Sequence, residues 1–334
     1  MAASTAAQKI LTTGVLPGYI AAYFEKQLNM LQTGVVRVDT NPIFTTGNTH
    51  TRKGRVADLT ADQTPTANTD LDPKAISSYS LISAVLRRAQ VYGNEDLASV
   101  AGDEDIDALA RDIGSNLAYN QAYWSEYRFF QYVIPAIFGS GGVLNDTHTV
   151  TNSDQVFDYS MVADALSRLG ENFGMLDTCI MHSAVYHGAQ ISTMLTAQPS
   201  YDPGAVAAYR GLATTYQGNI GPMRVFVNDR VSVTDGVYDT IIGAQGAGFM
   251  AAQIASKIEY ERSAIKAAGT DLWVNTYAHA FGVEGITYAG AAPTVIGGIT
   301  DATLQATASW AKITGWTASQ TPLVVIKSLA GPAV

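Results

Sequence analysis

The chain has 334 residues, of which 47% are hydrophobic and 15% are charged. This balance supports a sizeable core and excludes disorder over most of the length, and the low charge indicates a surface partly covered by other subunits. The net charge of −9 argues against a protein that grips nucleic acid, and the single cysteine, Cys179, excludes an internal disulfide framework and a multi-cysteine metal site.

The basic residues are concentrated towards the N-terminus. Residues 1–92 contain nine Lys or Arg and six Asp or Glu, a net of +3, so the other 242 residues carry −12 to give the total of −9. Either this basic quarter binds nucleic acid or it lies on the acidic body of a neighbouring copy. The second interpretation is favoured, because +3 over 92 residues attracts DNA only weakly.

The N-terminal region predicts a short helix followed by a long excursion. Apolar residues recur at helical steps between 19 and 31, whereas residues 40–75 are rich in Thr, Asn, Asp, Gly and Pro and cannot build a core of their own. Residues 76–92 alternate and predict a returning strand. We therefore expect a two-stranded excursion that is stabilised by another copy of the chain.

One basic group of residues lies in the excursion, and one acidic group follows the returning strand. The basic triplet Arg52, Lys53 and Arg55 lies in the excursion, where it is either solvated or an intersubunit contact. The acidic cluster Glu104, Asp105 and Asp107 suits the N-terminus of a helix and is typical of a solvated cap. These six residues are the candidates for subunit contacts.

A long helix is the strongest local prediction. Its apolar residues follow a period of 3.6 over 103–134, roughly 32 residues or about 48 Å. Pro135 is expected to disrupt the helix, and glycines at 139–142 to end it. The predicted buried stripe lies on one side only, so we expect the helix to pack on a sheet: Ile106, Leu109, Ile113, Leu117, Trp124, Tyr127 and Ile134.

Helices and strands alternate from about 155 onwards. The pattern predicts helices over 160–170 and over 183–195, the second with Ser183 as its N-cap. Strands are predicted at 178–181, 225–227, 238–243, 255–264, 272–288 and 323–326. With helices and strands mixed in a chain of this length, one large unit of the α+β class is the expected fold class.

A search for catalytic chemistry finds no site. His182 and His187 are five residues apart, a spacing that cannot chelate a metal on one helix, and Cys179 lies in an apolar strand as a buried thiol. The glycine-rich run 243–248 lacks the Lys-Ser/Thr of a phosphate loop and the spacing of a dinucleotide fingerprint. We predict no catalytic, cofactor-binding or metal-ligating residue.

No targeting segment is evident either. The N-terminus lacks a basic region followed by an apolar stretch, and no run of about 18 uncharged apolar residues occurs. We expect neither a signal peptide nor a membrane span, and a chain made in the cytoplasm.

Four segments resemble coat proteins of phages and prophages. They are IMHSAVYHGAQ (180–190), YQGNIGPMRVFVNDRV (216–231), YDTIIGAQGAGF (238–249) and IEYERSAIKAAGTDLWVNTYAHAFGVEG (258–285). Together with the order of parts, they are similar to the major capsid protein of tailed bacteriophages with the Hong Kong 97 type of fold, over about 70–290. Two positions depart from the group: Arg230 stands where a second acid is common, and the string beginning at His279 replaces a His-Pro-x-Gly-like one. In some relatives a lysine and an asparagine on adjacent subunits form an isopeptide crosslink, but no such pair can be matched by motif in this sequence.

The resemblance implies a division of the chain. Residues 1–40 would be an N-terminal arm, 41–92 an extended loop and returning strand, and 151–249 an axial domain. Residues 93–150 and 250–334 would form a peripheral domain whose spine is the helix 103–134.

The same resemblance implies a structural function without an active site. Copies would self-assemble as pentamers and hexamers into an icosahedral shell that encloses double-stranded DNA without sequence specificity. Scaffolding, portal and decoration proteins are further partners that it allows; the protein would be located in the virion and assembled in the host bacterial cytoplasm. The alternatives are a nanocompartment shell around protein cargo, and a soluble enzyme with a site of scattered residues.

Overall fold

Two large β-sheets and one long helix make up most of the described chain. The computed structural model describes residues 18–20, 22–24, 28–39, 43–45, 49–56, 78–94, 106–191, 216–263, 270–291 and 298–331. Mixed helices and sheets confirm the predicted α+β class.

Fifteen strands are present in these residues. The strands are β1 Val36–Val38, β2 Ile43–Thr45, β3 Thr49–Val56, β4 Ser78–Asn94, β5 Thr149–Val156, β6 Thr178–Met181, β7 Tyr216–Ile220, β8 Met223–Val227, β9 Val233–Thr234, β10 Val237–Gly243, β11 Gly248–Ser263, β12 Thr270–Val283, β13 Ile286–Tyr288, β14 Trp310–Lys312 and β15 Leu323–Leu329. Residues 18–20 and 22–24 are helical, and the helices that follow are α1 Asn29–Gln32, α2 Ile106–Arg128, α3 Ile134–Phe138, α4 Asn145–His148, α5 Tyr159–Ser167, α6 Ser183–Ile191 and α7 Asp301–Gln305. A π-helical turn, Phe129–Val133, joins α2 to α3, and short 3₁₀ helices span Gly170–Met175, Thr307–Ser309 and Ala318–Gln320.

The strands form two main sheets and one small one. The six-stranded sheet has the order β1-β11-β12-β4-β3-β2, and its long central strands β11, β12 and β4 are antiparallel. The seven-stranded sheet has the order β5-β15-β10-β6-β8-β7, with β9 paired to β10. The strands β13 and β14 pair with each other. The predicted returning strand is confirmed as β4.

The predicted excursion pairs with its own chain in its first part. Strands β2 and β3 form an antiparallel hairpin, and β3 pairs antiparallel with β4 as far as Val56, which faces Ser78. The expectation that this segment is not stabilised by its own chain is therefore wrong for β2 and β3, which form backbone hydrogen bonds within the sheet. Residues 57–77 lie outside the described residues. Val56 and Ser78, the described residues on either side of this stretch, are partners in the sheet.

The long helix continues past the proline that was expected to disrupt it. The helix α2 passes into the π-helical turn and then into α3, which ends at Phe138 before Gly139. Pro135 stands in the first turn of α3, directly after the π turn, where a wider backbone turn accommodates the proline ring and its missing N–H. Residues 103–105 of the predicted helix lie outside the described residues.

The middle of this helix buries a different face from the predicted one. Leu117 and Ile134 are buried as expected, but Trp124 is 40% exposed. Gln121 and Ser125 are buried in its place. Apolar periodicity cannot reveal a buried face that is polar, so the sequence pattern assigned the wrong phase to this part of the helix.

Alternate residues of the seven-stranded sheet enter two apolar clusters, as a period of two requires. In β6, Ile180 belongs to the cluster that contains Phe138 of the long helix, whereas Cys179 and Met181 pack with α5 and α6. One face of this sheet therefore shares a core with the long helix, and the same cluster includes Phe281 of the six-stranded sheet.

Two local predictions are corrected. The N-cap of α6 is His182 and not Ser183, because Ala184 N–H donates to His182 Nδ1 at 3.1 Å and the helix already begins at Ser183. The strand predicted over 272–288 is split into β12 and β13 at Gly285, whose φ of +84° suits glycine. The last residues predicted for α6, 192–195, lie outside the described residues.

Candidate assembly interface

The six residues predicted to form subunit contacts lie in strand β3 and at or just before the start of helix α2. Arg52, Lys53 and Arg55 belong to β3, where the structure describes their backbone; Asp107 belongs to the first turn of α2, and Glu104 and Asp105 lie outside the described residues. In the described chain β2 pairs with β3 only as far as Thr51, so the basic triplet occupies a stretch that pairs with β4 alone. Such a strand edge can accept another chain, and its basic side chains also restrict which chain it accepts.

A buried histidine fixes the hairpin to the body of the molecule. The ring of His50 lies 5.3 Å from that of Phe44 and 5.8 Å from that of Phe249, and its Nε2 is 3.2 Å from Asp39 Oδ2. Burial lowers the pKa of His50, although Asp39 opposes this shift. The hairpin is therefore a fixed part of the sheet and not a free arm.

A second buried histidine lies beneath the long helix. The His279 ring approaches Ser125 Oγ through Nδ1 at 3.2 Å and Gln121 Nε2 through Nε2 at 3.3 Å. Burial lowers the pKa of His279 to about 3, and the charge of Arg128 acts in the same direction. Two side chains one helical turn apart thus hold one ring of β12, which defines where the helix lies along the sheet.

A buried carboxylate joins three distant parts of the chain. Glu126 is fully buried in the long helix, its Oε1 accepts a hydrogen bond from Met30 N–H at 2.6 Å, and its Oε2 pairs with Arg230. The Arg230 guanidinium also lies 4.8 Å from the centre of the Tyr123 ring. Burial raises the pKa of Glu126, and Arg230 opposes that shift.

A further carboxylate ties the C-terminal region to the long helix. Asp301 Oδ1 accepts hydrogen bonds from Arg88 at 2.6 Å and from Arg128 at 3.2 Å. Arg128 also donates to Tyr277 Oη at 3.2 Å. The segment that begins α7 is thereby attached to both β4 and the helix.

The outer face of the long helix is aromatic and has little charge. Tyr119 is 49% and Trp124 is 40% exposed, and between Ser115 and Tyr132 the charged residues are Glu126 and Arg128, both buried. Neighbouring rings contact one another at centroid distances of 5.5–6.2 Å along Tyr123, Trp124, Tyr127 and Tyr132. Protein–protein contacts are enriched in Tyr and Trp and depleted in charge, so this face has the composition of an interface.

The described residues offer little reactive chemistry. They contain no group of three or more His, Cys, Asp or Glu side chains placed to hold a metal ion. Cys179 is a buried thiol, as expected, and burial raises its pKa to about 12. None of the helices within the described ranges has the length and hydropathy to cross a bilayer.

The residues that join the parts of the fold were missed at the sequence level as functional positions. Glu126 and His279 are polar residues in apolar surroundings, and their partners are 96 or more positions away in the sequence. One signal was available for Arg230 alone: it stands where the phage coat motifs tend to have a second acid, which marks the position as unusual without naming its partner.

The sequence matches the family described as Major capsid protein 13-like over residues 27–320. The fold is similar to the capsid of Ralstonia phage GP4, with a TM-score of 0.57 at 9% identity, covering 91% of this chain and 89% of that one. It is also similar to the capsid of Cyanophage Pam1, with a TM-score of 0.51 at 8% identity over 86% and 87% of the two chains. A structure from Mycobacterium phage Bobi gives 0.50 at 10% identity over 90% of each. No curated protein is similar in sequence.

The family match spans both sheets and the long helix, and the structural similarity spans most of each chain compared. The resemblance to phage coat proteins is thereby confirmed. The chain belongs to the major capsid protein 13-like family and has the fold of phage capsid proteins.

Proposed function

We propose that the chain is the major structural protein of an icosahedral phage head and assembles as pentamers and hexamers around double-stranded DNA. The family match over residues 27–320 is the observation that carries this function. Repeated contacts between identical subunits close a shell without any catalytic step, so the protein acts as a building unit and not as an enzyme. Assembly takes place in the host bacterial cytoplasm, and the product is located in the virion.

The contacts between subunits involve the surfaces described above. The basic triplet Arg52, Lys53 and Arg55 of one copy lies on the acidic body of the next, where Glu104, Asp105 and Asp107 are candidate partners. The excess of −12 outside residues 1–92 supports this arrangement. The aromatic outer face of the long helix is a further candidate contact.

The proposed division into parts keeps the boundaries expected from the sequence. Residues 151–249 form the axial domain, 93–150 and 250–334 the peripheral domain, 41–92 the extended loop and 1–40 the N-terminal arm. The core shared between the seven-stranded sheet and the long helix means that the axial and peripheral parts are not separate folding units.

The DNA inside the shell is held by enclosure and not by sequence recognition. A net charge of −9 gives little attraction to phosphates, which suits a container whose contents must pack and leave. Scaffolding, portal and decoration proteins are the further partners of such a shell. A nanocompartment with protein cargo has the same type of fold, but no observation favours it.

Electron microscopy of the expressed chain tests this function. We expect capsomers or closed shells in the high-mass fraction from size-exclusion chromatography, and nuclease-protected DNA in particles from a phage-producing host. Shells that contain one enzyme and no DNA would indicate that the protein forms a nanocompartment and not a phage head. A protein that stays monomeric at all concentrations, with turnover of a small molecule, would contradict both.

Charge reversal tests the proposed contact. The triple variant Arg52→Glu, Lys53→Glu, Arg55→Glu should fold but form few or no shells, because like charges would then face the acidic body. The control Lys257→Glu changes an exposed lysine of β11 that already lies beside Glu259, and it should assemble normally. Normal shells from the triple variant would exclude the basic triplet as a subunit contact.

A further inference from the structure

The carboxylate of Glu126 contacts both the N-terminal region and the seven-stranded-sheet region. Its Oε1 accepts from Met30 N–H at 2.6 Å, 96 positions earlier in the sequence. Its Oε2 pairs with Arg230, which follows β8. Both contacts are shielded, since the side chain of Glu126 is 0% exposed and that of Arg230 is 15% exposed.

The segment that carries Arg230 is itself held by the long helix. Gln131 Nε2 donates to the carbonyl oxygens of Arg230 at 3.0 Å and Val231 at 3.1 Å. Val231 is fully buried in the core that contains the helix. The turn at 228–231 is therefore attached to the helix by an ion pair, by two hydrogen bonds and by apolar packing.

The same turn holds the start of α6. Asp229 Oδ1 accepts from Ser183 N–H at 2.9 Å, and Asn228 N–H donates to Met181 O at 2.9 Å. A continuous series of contacts thus runs from Met30 through Glu126 and Arg230 to the first residue of α6. Every step in it is a hydrogen bond, an ion pair or one turn of backbone.

We propose that Glu126 couples the position of the N-terminal segment around Met30 to the position of the 228–231 turn. Through that turn it also couples the N-terminal segment to the position of helix α6. The carboxylate satisfies both ends at once, and a buried charge cannot lose one partner without a large cost. A displacement of the segment at Met30 therefore weakens the ion pair between Glu126 and Arg230. A displacement of the turn likewise weakens the hydrogen bond from Met30 N–H to Glu126. Such coupling acts equally in both directions.

This coupling gives the fold a conformational device that is independent of how the subunits assemble. The N-terminal segment and α6 are joined by this series of contacts, so each would sense the state of the other. Any partner that moves residues 28–35 would thereby alter α6.

Hydrogen–deuterium exchange on the full chain tests the coupling. The variant Glu126→Gln keeps an oxygen that can accept from Met30 N–H but removes the ion pair with Arg230. We expect the amides of residues 28–35 and of 183–191 to exchange faster by roughly 5–20-fold, the size of a typical coupling. Because the acceptor for Met30 is retained, faster exchange at 28–35 reports transmission from the Arg230 side.

The matched control changes another buried carboxylate in the same way. Asp239→Asn removes the ion pair with Lys327 on the neighbouring strand β15, at 2.8 Å, and should leave exchange at 28–35 unchanged. The variant Arg230→Lys keeps a cation, so it should fold even if Glu126→Gln does not, and it should show a smaller change at both ends. Faster exchange confined to 228–231 in both Glu126→Gln and Arg230→Lys would overturn the proposal.

Discussion

Buried polar side chains determine where the long helix lies on the sheet. Gln121 and Ser125 hold His279 from one helical turn to the next, and Glu126 and Arg128 each pair with a residue from a different segment. An apolar seam would permit the helix to slide, because hydrophobic contact is not directional. The polar contacts are specific in distance and angle, so a shifted helix would leave several buried groups unpaired.

The low pKa of His279 makes stability depend on pH in a defined window. The folded chain holds this pKa at about 3, against an ordinary value of 6.5. Between these values the unfolded chain binds a proton that the folded chain does not, so the free energy of unfolding falls as the pH is lowered from 6.5 towards 3. The contribution is about 1.4 kcal/mol per pH unit and is fully present above pH 6.5.

The variant His279→Phe isolates this contribution. At pH 7 it should lower the free energy of unfolding by about 1–3 kcal/mol, because Gln121 and Ser125 lose their contact with the ring. Between about pH 4 and 6 its free energy of unfolding should fall less steeply than that of the wild type, by one proton. Denaturant unfolding at several pH values measures both effects, and parallel pH profiles for the two proteins would show that His279 is not buried in its neutral form.

At the level of elements, the excursion contains a fixed hairpin followed by residues 57–77. The hairpin β2–β3 is paired with β4 and fixed by His50, and the strand ends on either side of residues 57–77 face each other. This segment can be shortened without moving the strands, because the two strand ends are already in register.

Replacing residues 57–77 with a two-residue Asn-Gly turn should leave the subunit folded. The Val56–Ser78 pair would then be closed by a tight hairpin turn, so the melting temperature should change by only a few degrees. Shell formation should be lost if the loop reaches a neighbouring copy. Circular dichroism and sedimentation measure the two properties separately.

The deletion of residues 46–72 is the matched comparison. It removes β3 together with the fully buried His50, so it should unfold the subunit or lower its melting temperature by far more than the shorter replacement. If the 57–77 replacement assembles into normal shells, the loop is not a subunit contact. If that replacement unfolds, the loop contributes to its own subunit.

Elements with a clear local pattern could be predicted from the sequence, and contacts between distant segments could not. The strand β4 shows an alternating pattern, β6 is a short apolar run, and the long helix follows its period of 3.6. The pairing of β3 with β4 is a choice of partner, which the composition of residues 40–75 does not encode. Likewise, Pro135 alone predicts a break, and only the π turn before it explains why the helix continues. Glu126 and Arg230 carry no local signal of pairing.

At the level of the whole molecule, the two sheets are joined through one core. Ile180 and Ile241 of the seven-stranded sheet, Phe138 of the long helix and Phe281 of the six-stranded sheet belong to the same apolar cluster. A division into axial and peripheral parts thus describes positions in the fold and not separate cores. A shared core should make the parts unfold together.

The distribution of two kinds of reporter residue, cysteine and tryptophan, allows this cooperativity to be measured. Cys179 is in the seven-stranded sheet, whereas the four tryptophans of the chain all lie outside residues 151–249. We expect the thiol to become reactive at the same denaturant concentration at which tryptophan fluorescence changes, since burial keeps the Cys179 thiol protonated until the core opens. The variant Ile180→Ala, on the shared face, should lower both midpoints together and cost about 2–5 kcal/mol. Thiol reactivity at a lower denaturant concentration than the fluorescence change would show that the axial part opens alone. In that case the apolar cluster that Ile180 shares with the long helix does not make the two parts cooperative.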